Sequence, residues 1–199
     1  MEVFDQSRFR HLRVEVERAP DSAGSILWAT LNRPAALNSL SAELTAELHA
    51  LLDALQHPRS MLEPVDPGFP RVLVLAGAGG RAFSSGVDIM AADRGAGGAP
   101  YDYRDMRSQQ LLARLVAKLR AIPQPVVAAV RGVAAGAGLA LALAADVRIA
   151  TRSAAFSAAF VRLGLTGEGP PAPAAQPLTG LAAALAAARP AFHTVSVPA

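Results

Sequence analysis

Two short segments hold the residues with the clearest chemical potential. The first is Arg81-Ala82-Phe83-Ser84-Ser85-Gly86-Val87-Asp88-Ile89, directly after an unbroken apolar run at 71–76. The second is Val130-Arg131-Gly132-Val133-Ala134-Ala135-Gly136-Ala137-Gly138-Leu139-Ala140. Neither sets a nucleophile beside a base, so Ser84 and Ser85 read as turn hydroxyls. Neither is a phosphate loop, because no Gly-Lys-Ser/Thr follows, and no Gly-x-Ser-x-Gly elbow is present. What both offer is main chain. Gly and Ala let a ligand approach the backbone closely. The first N–H groups of a helix lack internal partners and sit at the positive end of its dipole. Two such N–H groups converging on one point would stabilise a growing oxyanion. The alternative is that these glycines serve tight turns alone.

Several elements must position these segments. Leu12, Val14 and Val16 alternate with Arg13 and Glu15, which predicts a half-buried strand. Residues 26–31 form a second strand, ended by Asn32-Arg33-Pro34, and a turn at 19–24 joins the two as a hairpin. Ser41 caps a helix reaching Gln56, with Leu44, Leu48, Leu51, Leu52 and Leu55 inward. Glu43, Glu47 and Asp53 face out, and His49 is expected to be solvated. Residues 58–70 read as a loop, 71–76 as a buried strand and 94–100 as a Gly/Ala segment. A helix is expected over 103–121, stopped by Pro123 and Pro125. Residues 126–130 read as a strand, 137–145 as a short helix and 147–150 as a strand. The order ββα, β–turn–α, β–turn–α, β defines an α/β chain, with no paired core element after Val161.

The two segments resemble the paired oxyanion-hole motifs of the enoyl-CoA hydratase/isomerase (crotonase) family. There the first reads roughly Lys/Arg-Ala-Phe-Ser/Cys-Ala-Gly-x-Asp-Leu/Ile, and the second is an Asn-Gly-x-Ala-x-Gly-Gly-Gly run. Asn32-Arg33-Pro34-Ala35-Ala36-Leu37-Asn38-Ser39-Leu40 is similar to the family's coenzyme A-contacting turn. Asp146 to Ala150 and Phe160 to Leu165 resemble the stretches that follow the second motif. The resemblance covers about residues 10–168. It implies a crotonase-like spiral of ββα units that binds an acyl-CoA thioester, with the carbonyl polarised between the N–H groups of Val87 and Ala137. It further implies substrate contacts at Arg33, Ala35, Ala36, Leu37, Arg81, Ser85, Gly86, Asp88, Ile89 and Gly136. Arg33 and Arg81 could meet phosphates or be ordinary surface arginines, and Asp88 caps or braces its turn. No cofactor is expected beyond the coenzyme A of the substrate.

The sequence departs from the family pattern where hydratases carry two glutamates, which fall at Ala140 and Phe160 here. One carboxylate remains, Glu168, at the position where double-bond isomerases of the family place a single Glu or Asp. A single carboxylate is enough to move a proton between two carbons. The bland alternative is a surface-loop glutamate. Three readings follow: an isomerase-type enzyme using Glu168, a hydratase or thioesterase with another base, and a non-catalytic acyl-CoA-binding relative. Arg131 stands where the family usually has Asn, and Ala35 where many relatives carry a base. After Gly169 comes Pro170-Pro171-Ala172-Pro173 in place of the family's Gly-Ser continuation. Residues 1–168 are therefore expected to form the acyl-CoA-binding core. Residues 169–199 are expected to be a poorly packed Pro/Ala-rich tail, with the C-terminal helical part shortened and the family homotrimer weakened.

Composition narrows the field further. A net charge of +3 without a Lys/Arg run gives no footprint for nucleic acid. The absence of cysteine excludes disulfides, zinc–thiolate sites and cysteine nucleophiles. His11, His49, His57 and His193 show no metal-ligand spacing, so no metal is expected. Residues 126–145 approach the length of a membrane span. Arg131 and three interrupting glycines favour a buried strand and helix instead, and no second span accompanies them. With no apolar leader in residues 1–10, the expected location is the cytoplasm.

Overall fold

The computed structural model describes residues 4–18, 24–56, 69–90 and 106–159, together with the backbone of 192–193. The expected features at 19–23, 58–68, 94–100 and 103–105, and Phe160, Glu168 and the tail apart from 192–193, lie outside the described residues.

Strands β1 (Leu12–Arg18) and β2 (Ser25–Leu31) pair antiparallel, with Leu12 opposite Leu31 and Val14 opposite Ala29. Their alternation buries Leu12, Val14, Leu27, Ala29 and Leu31, as the period of two predicts. β3 (Pro70–Gly77), β5 (Val126–Val130) and β7 (Val147–Ala150) extend the sheet in parallel. The six-stranded order is β1-β2-β3-β5-β7-β9, where β9 is Phe192–His193 beside Arg148 and Ile149. That pairing departs from the expectation of no paired element after Val161.

A second sheet was not anticipated. β4 (Ala82–Ser84), β6 (Val133–Ala135) and β8 (Ala155–Ser157) pair in parallel as β4-β6-β8. Each has three residues, too few for a period of two to declare itself, so two of them read as parts of turns. The repeat is a long strand in the large sheet, a short strand in the small one, then a helix. Strands of one unit thus feed both sheets, and the small sheet holds the two glycine-bearing segments side by side.

Helix α1 (Ala42–Gln56) opens as expected, with Leu44 N donating to Ser41 Oγ at 3.3 Å and Thr45 N to Ser41 O. The Glu43 carboxyl is held below its ordinary pKa by its own backbone N–H and then by the Ser41 hydroxyl. Leu44, Leu48, Leu51, Leu52 and Leu55 are buried against the sheet and helix α2 (Met106–Ala121), whose Leu112, Leu115, Val116 and Leu119 face them. At roughly 1.5–3 kcal/mol per buried large apolar side chain, these rows are a principal source of stability. Two polar residues of α1 depart from their expected solvent-facing roles. Glu47 accepts from the N–H groups of Arg10 and His11, tying the helix to the N-terminal segment. His49 is half-buried, with Nε2 3.0 Å from Leu111 O on α2.

The apolar stretch at 126–145 is β5, then β6 and the eight-residue helix α3 (Ala137–Ala144). Among the described residues no helix is long and apolar enough to cross a membrane. α3 ends on the buried Arg148, whose Nη1 donates to the carbonyls of Ala142, Leu143 and Ala145. A guanidinium there satisfies orphan carbonyls and opposes the negative end of the helix dipole.

Candidate active site

β4 delivers the first glycine segment and β6 the second, with Ala82 opposite Val133 and Ser84 opposite Ala134. The turns leaving these strands touch. A Cβ on Gly86 would stand 2.8 Å from Ala135 O, 3.1 Å from Ala137 N and 3.4 Å from Gly136 Cα. Gly86 also has φ +93°, a backbone region that L side chains rarely enter. Two residues into α3, a Cβ on Gly138 would fall 2.4 Å from Ser84 O and 2.6 Å from Ser84 Cβ. These glycines therefore do more than turn the chain: they let two backbones lie against each other.

The direction of two amides follows from their peptide planes. In a trans peptide the carbonyl and the following N–H point opposite ways, and no described peptide is cis. Gly86 O accepts from Leu40 N at 2.7 Å, so the Val87 N–H points away from the Leu40 segment. Gly136 O accepts from Ala140 N at 3.1 Å along α3. The Ala137 N–H therefore points out of the start of that helix, at the positive end of its dipole. The neighbouring amides are engaged: Ser85 N with Leu37 O, Gly86 N with Ser84 Oγ, Asp88 N with Leu40 O and Gly136 N with Ser157 O. The Val87 and Ala137 N–H groups enter none of these bonds. Both amides lie on touching turns, and each points away from the group that its own peptide carbonyl is bound to.

The first turn is braced from the segment after β2. Pro34–Ala36 forms a 3-10 turn, and both Leu37 (φ 52°) and Asn38 (φ 53°) are left-handed. Asn tolerates that region, but Leu pays roughly 1–3 kcal/mol and holds it only where surroundings insist. Asn38 supplies the insistence. Fully buried, it donates from Nδ2 to Ala78 O and Ala82 O at 2.9 and 2.8 Å and accepts Arg33 N on Oδ1 at 2.9 Å. Its carbonyl accepts Ser84 Oγ at 2.8 Å. Nothing in the Asn32–Leu40 turn as a sequence announces this task for Asn38. The available signal was an Asn in a non-helical turn, the residue type suited to a left-handed position.

Arg33 departs from both roles expected of it. Its Nη1 donates to Ser39 O and Ser39 Oγ at 2.6 and 3.0 Å, and its Nη2 pairs with Asp88 Oδ2 at 2.8 Å. The side chain is only 19% exposed, and that of Asp88 5%. The guanidinium is thus turned inward to the protein, neither presented as a phosphate ligand nor left on the surface. Asp88 braces the turn, as expected. Arg81 and Ala35 are exposed, and Ala36, Leu37, Ser85 and Val87 are half-buried. Gly86, Gly136 and Ala137 are buried, and Ile89 is 38% exposed. Ser84 is buried and fully engaged, as a turn hydroxyl should be. Ala140, the first of the two positions compared with the hydratase glutamates, puts a half-buried methyl on α3. Glu168 lies outside the described residues. Among the described residues no group of three His, Cys, Asp or Glu is placed to hold a metal. A groove of about 430 Å³ on the β1–β2 hairpin is lined by Glu15, Val16, Glu17 and Trp28, none of them a candidate residue.

Long strands in one sheet, short strands in a second and paired glycine turns between them define a crotonase-fold protein. The chain belongs to the enoyl-CoA hydratase/isomerase family, whose model matches residues 21–179. It is 41% identical over 147 residues to a Mycobacterium bovis protein named a probable enoyl-CoA hydratase, covering 71% of this chain and 47% of that protein. It is 39% identical over 140 residues to the 1,2-epoxyphenylacetyl-CoA isomerase of Escherichia coli K12, covering 70% and 49%. The crystal structure of an enoyl-CoA hydratase from Bacillus anthracis superposes with a TM-score of 0.62 at 28% identity, over 80% of this chain and 54% of the other. The chain spans about half the length of the curated relatives it matches.

Proposed function

We propose that this chain binds an acyl-CoA thioester with its carbonyl oxygen between the N–H groups of Val87 and Ala137, and acts as a double-bond isomerase through the single carboxylate of Glu168. The observation that carries the binding site is the contact of the two turns, with the position of a Gly86 Cβ only 3.1 Å from Ala137 N. Donors fixed there cost nothing to reorganise as negative charge grows on the oxygen, which favours the enolate over the ground-state ester. Isomerisation needs one group that takes a proton from one carbon and returns it to another. Hydration through paired carboxylates needs two, and Ala140 withholds one of them. That methyl also favours the second reading, a relative that binds acyl-CoA without turnover.

Calorimetric titration with saturated butyryl-CoA and with free coenzyme A, beside isomerase and hydratase assays on enoyl-CoA, tests the proposal. The expected outcome is saturable binding that depends on the thioester, with double-bond migration exceeding hydration. Absence of heat from any acyl-CoA at millimolar concentration on folded protein rejects the binding site. Binding without turnover selects the non-catalytic reading.

A further inference from the structure

We infer that Ser84 and Asn38 are positioning residues for the Val87 donor, a step that rests on the acyl-CoA reading above. The Ser84 hydroxyl has one hydrogen, and it is committed to Asn38 O at 2.8 Å. That fixes the rotor and turns an oxygen lone pair toward Gly86 N, which donates to it at 3.2 Å. Gly86 is thereby held at its amide by Ser84 and at its carbonyl by Leu40 N, 2.7 Å away. The Gly86 carbonyl and the Val87 N–H share one rigid peptide plane. Fixing both ends of Gly86 fixes the direction in which Val87 donates.

Asn38 anchors the arrangement from the other side. Its Nδ2 spans Ala78 O and Ala82 O, the two flanks of the turn between β3 and β4, and Leu40 lies two residues beyond it. The Ser84 carbonyl and Cβ also form the wall against which Gly138 packs α3. Ser84 thus touches the supports of both donors: the amide that precedes Val87, and the helix that begins at Ala137. A hydroxyl at this position is a device for register between two amides. It touches neither substrate nor reacting atoms and is not a catalytic residue.

The test reads the thioester itself. Butyryl-CoA labelled with ¹³C at the thioester carbonyl is bound to the full chain, and isotope-edited infrared spectroscopy compares its stretch with that of free ligand. In the parent protein the stretch should move to lower frequency, because two donors draw charge onto oxygen. Ser84→Ala should keep binding within about threefold, since one neutral hydrogen bond is modest in net worth. The same variant should lose roughly half or more of the frequency shift as the Val87 donor drifts. Ser84→Cys, with a weak donor and a weak acceptor, should restore part of it. If Ser84→Ala does not fold by circular dichroism, Ser84→Cys decides, with a reduced shift expected. A parent that binds and shifts the carbonyl while the folded variant shifts it equally overturns the inference. A parent that binds without any shift, or does not bind, overturns the acyl-CoA reading instead.

Discussion

At the scale of single residues, the close approach of two backbones is the feature that side-chain chemistry cannot replace. Gly86→Ala would add a methyl 2.8 Å from Ala135 O at a φ of +93°. Both partners are main chain, so a turn must move. The variant is expected to lose about 1–3 kcal/mol of stability in urea melts. It should also weaken acyl-CoA binding by roughly tenfold, more than Ser84→Ala, because both touching turns are displaced and not one donor alone. Binding that stays at the parent level in folded Gly86→Ala would separate this turn from the ligand. Glu168→Gln is the complementary case: it keeps the shape and removes the base. Isomerase rate should fall by roughly 10²–10⁴, the usual size of general-base effects, with binding unchanged. Equal turnover by the Gln variant would make Glu168 a bystander.

Elements were legible in the sequence wherever they were long and periodic. The hairpin, the Leu rows of α1 and α2, and the apolar runs of β3 and β5 all follow from spacing. The three-residue strands were not legible, because pairing across the small sheet gives Ala82–Ser84 and Val133–Ala135 their structure, not local propensity. His49 escaped for a similar reason. Nothing near it in sequence announces Leu111, 62 positions away on α2. Burial, and to a lesser extent Lys118 and Arg114, hold its pKa below 6.5, while Leu111 O and Asp53 act against them. The unfolded chain therefore binds this proton more readily than the folded one. The stability contribution is full above pH 6.5 and drains as pH falls toward the lowered folded value. Urea melts from pH 7 to 5 should show the parent losing more stability than His49→Gln, which can keep a donor for Leu111 O. Identical slopes would mean that His49 titrates as it does in the unfolded chain.

At the scale of the whole molecule, the two sheets exist to bring sequence-distant turns together. Residues 85–88 and 136–137 are about fifty positions apart, and parallel pairing in both sheets sets their register. The candidate site was legible because both segments have the composition of close-approach backbone and stand in the family's order. The inward turn of Arg33 was not, because a guanidinium on a polar loop gives no sign that Asp88, 55 residues on, will meet it.

The proposed site has one ligand oxygen shared by two backbone donors. Titration of ¹⁵N-labelled protein with butyryl-CoA, following the amide protons of Val87 and Ala137 by NMR, tests it most directly. Both resonances should move downfield together on a single saturable curve, and free coenzyme A should move neither in this way. A titration in which butyryl-CoA binds while either amide stays in place would contradict it.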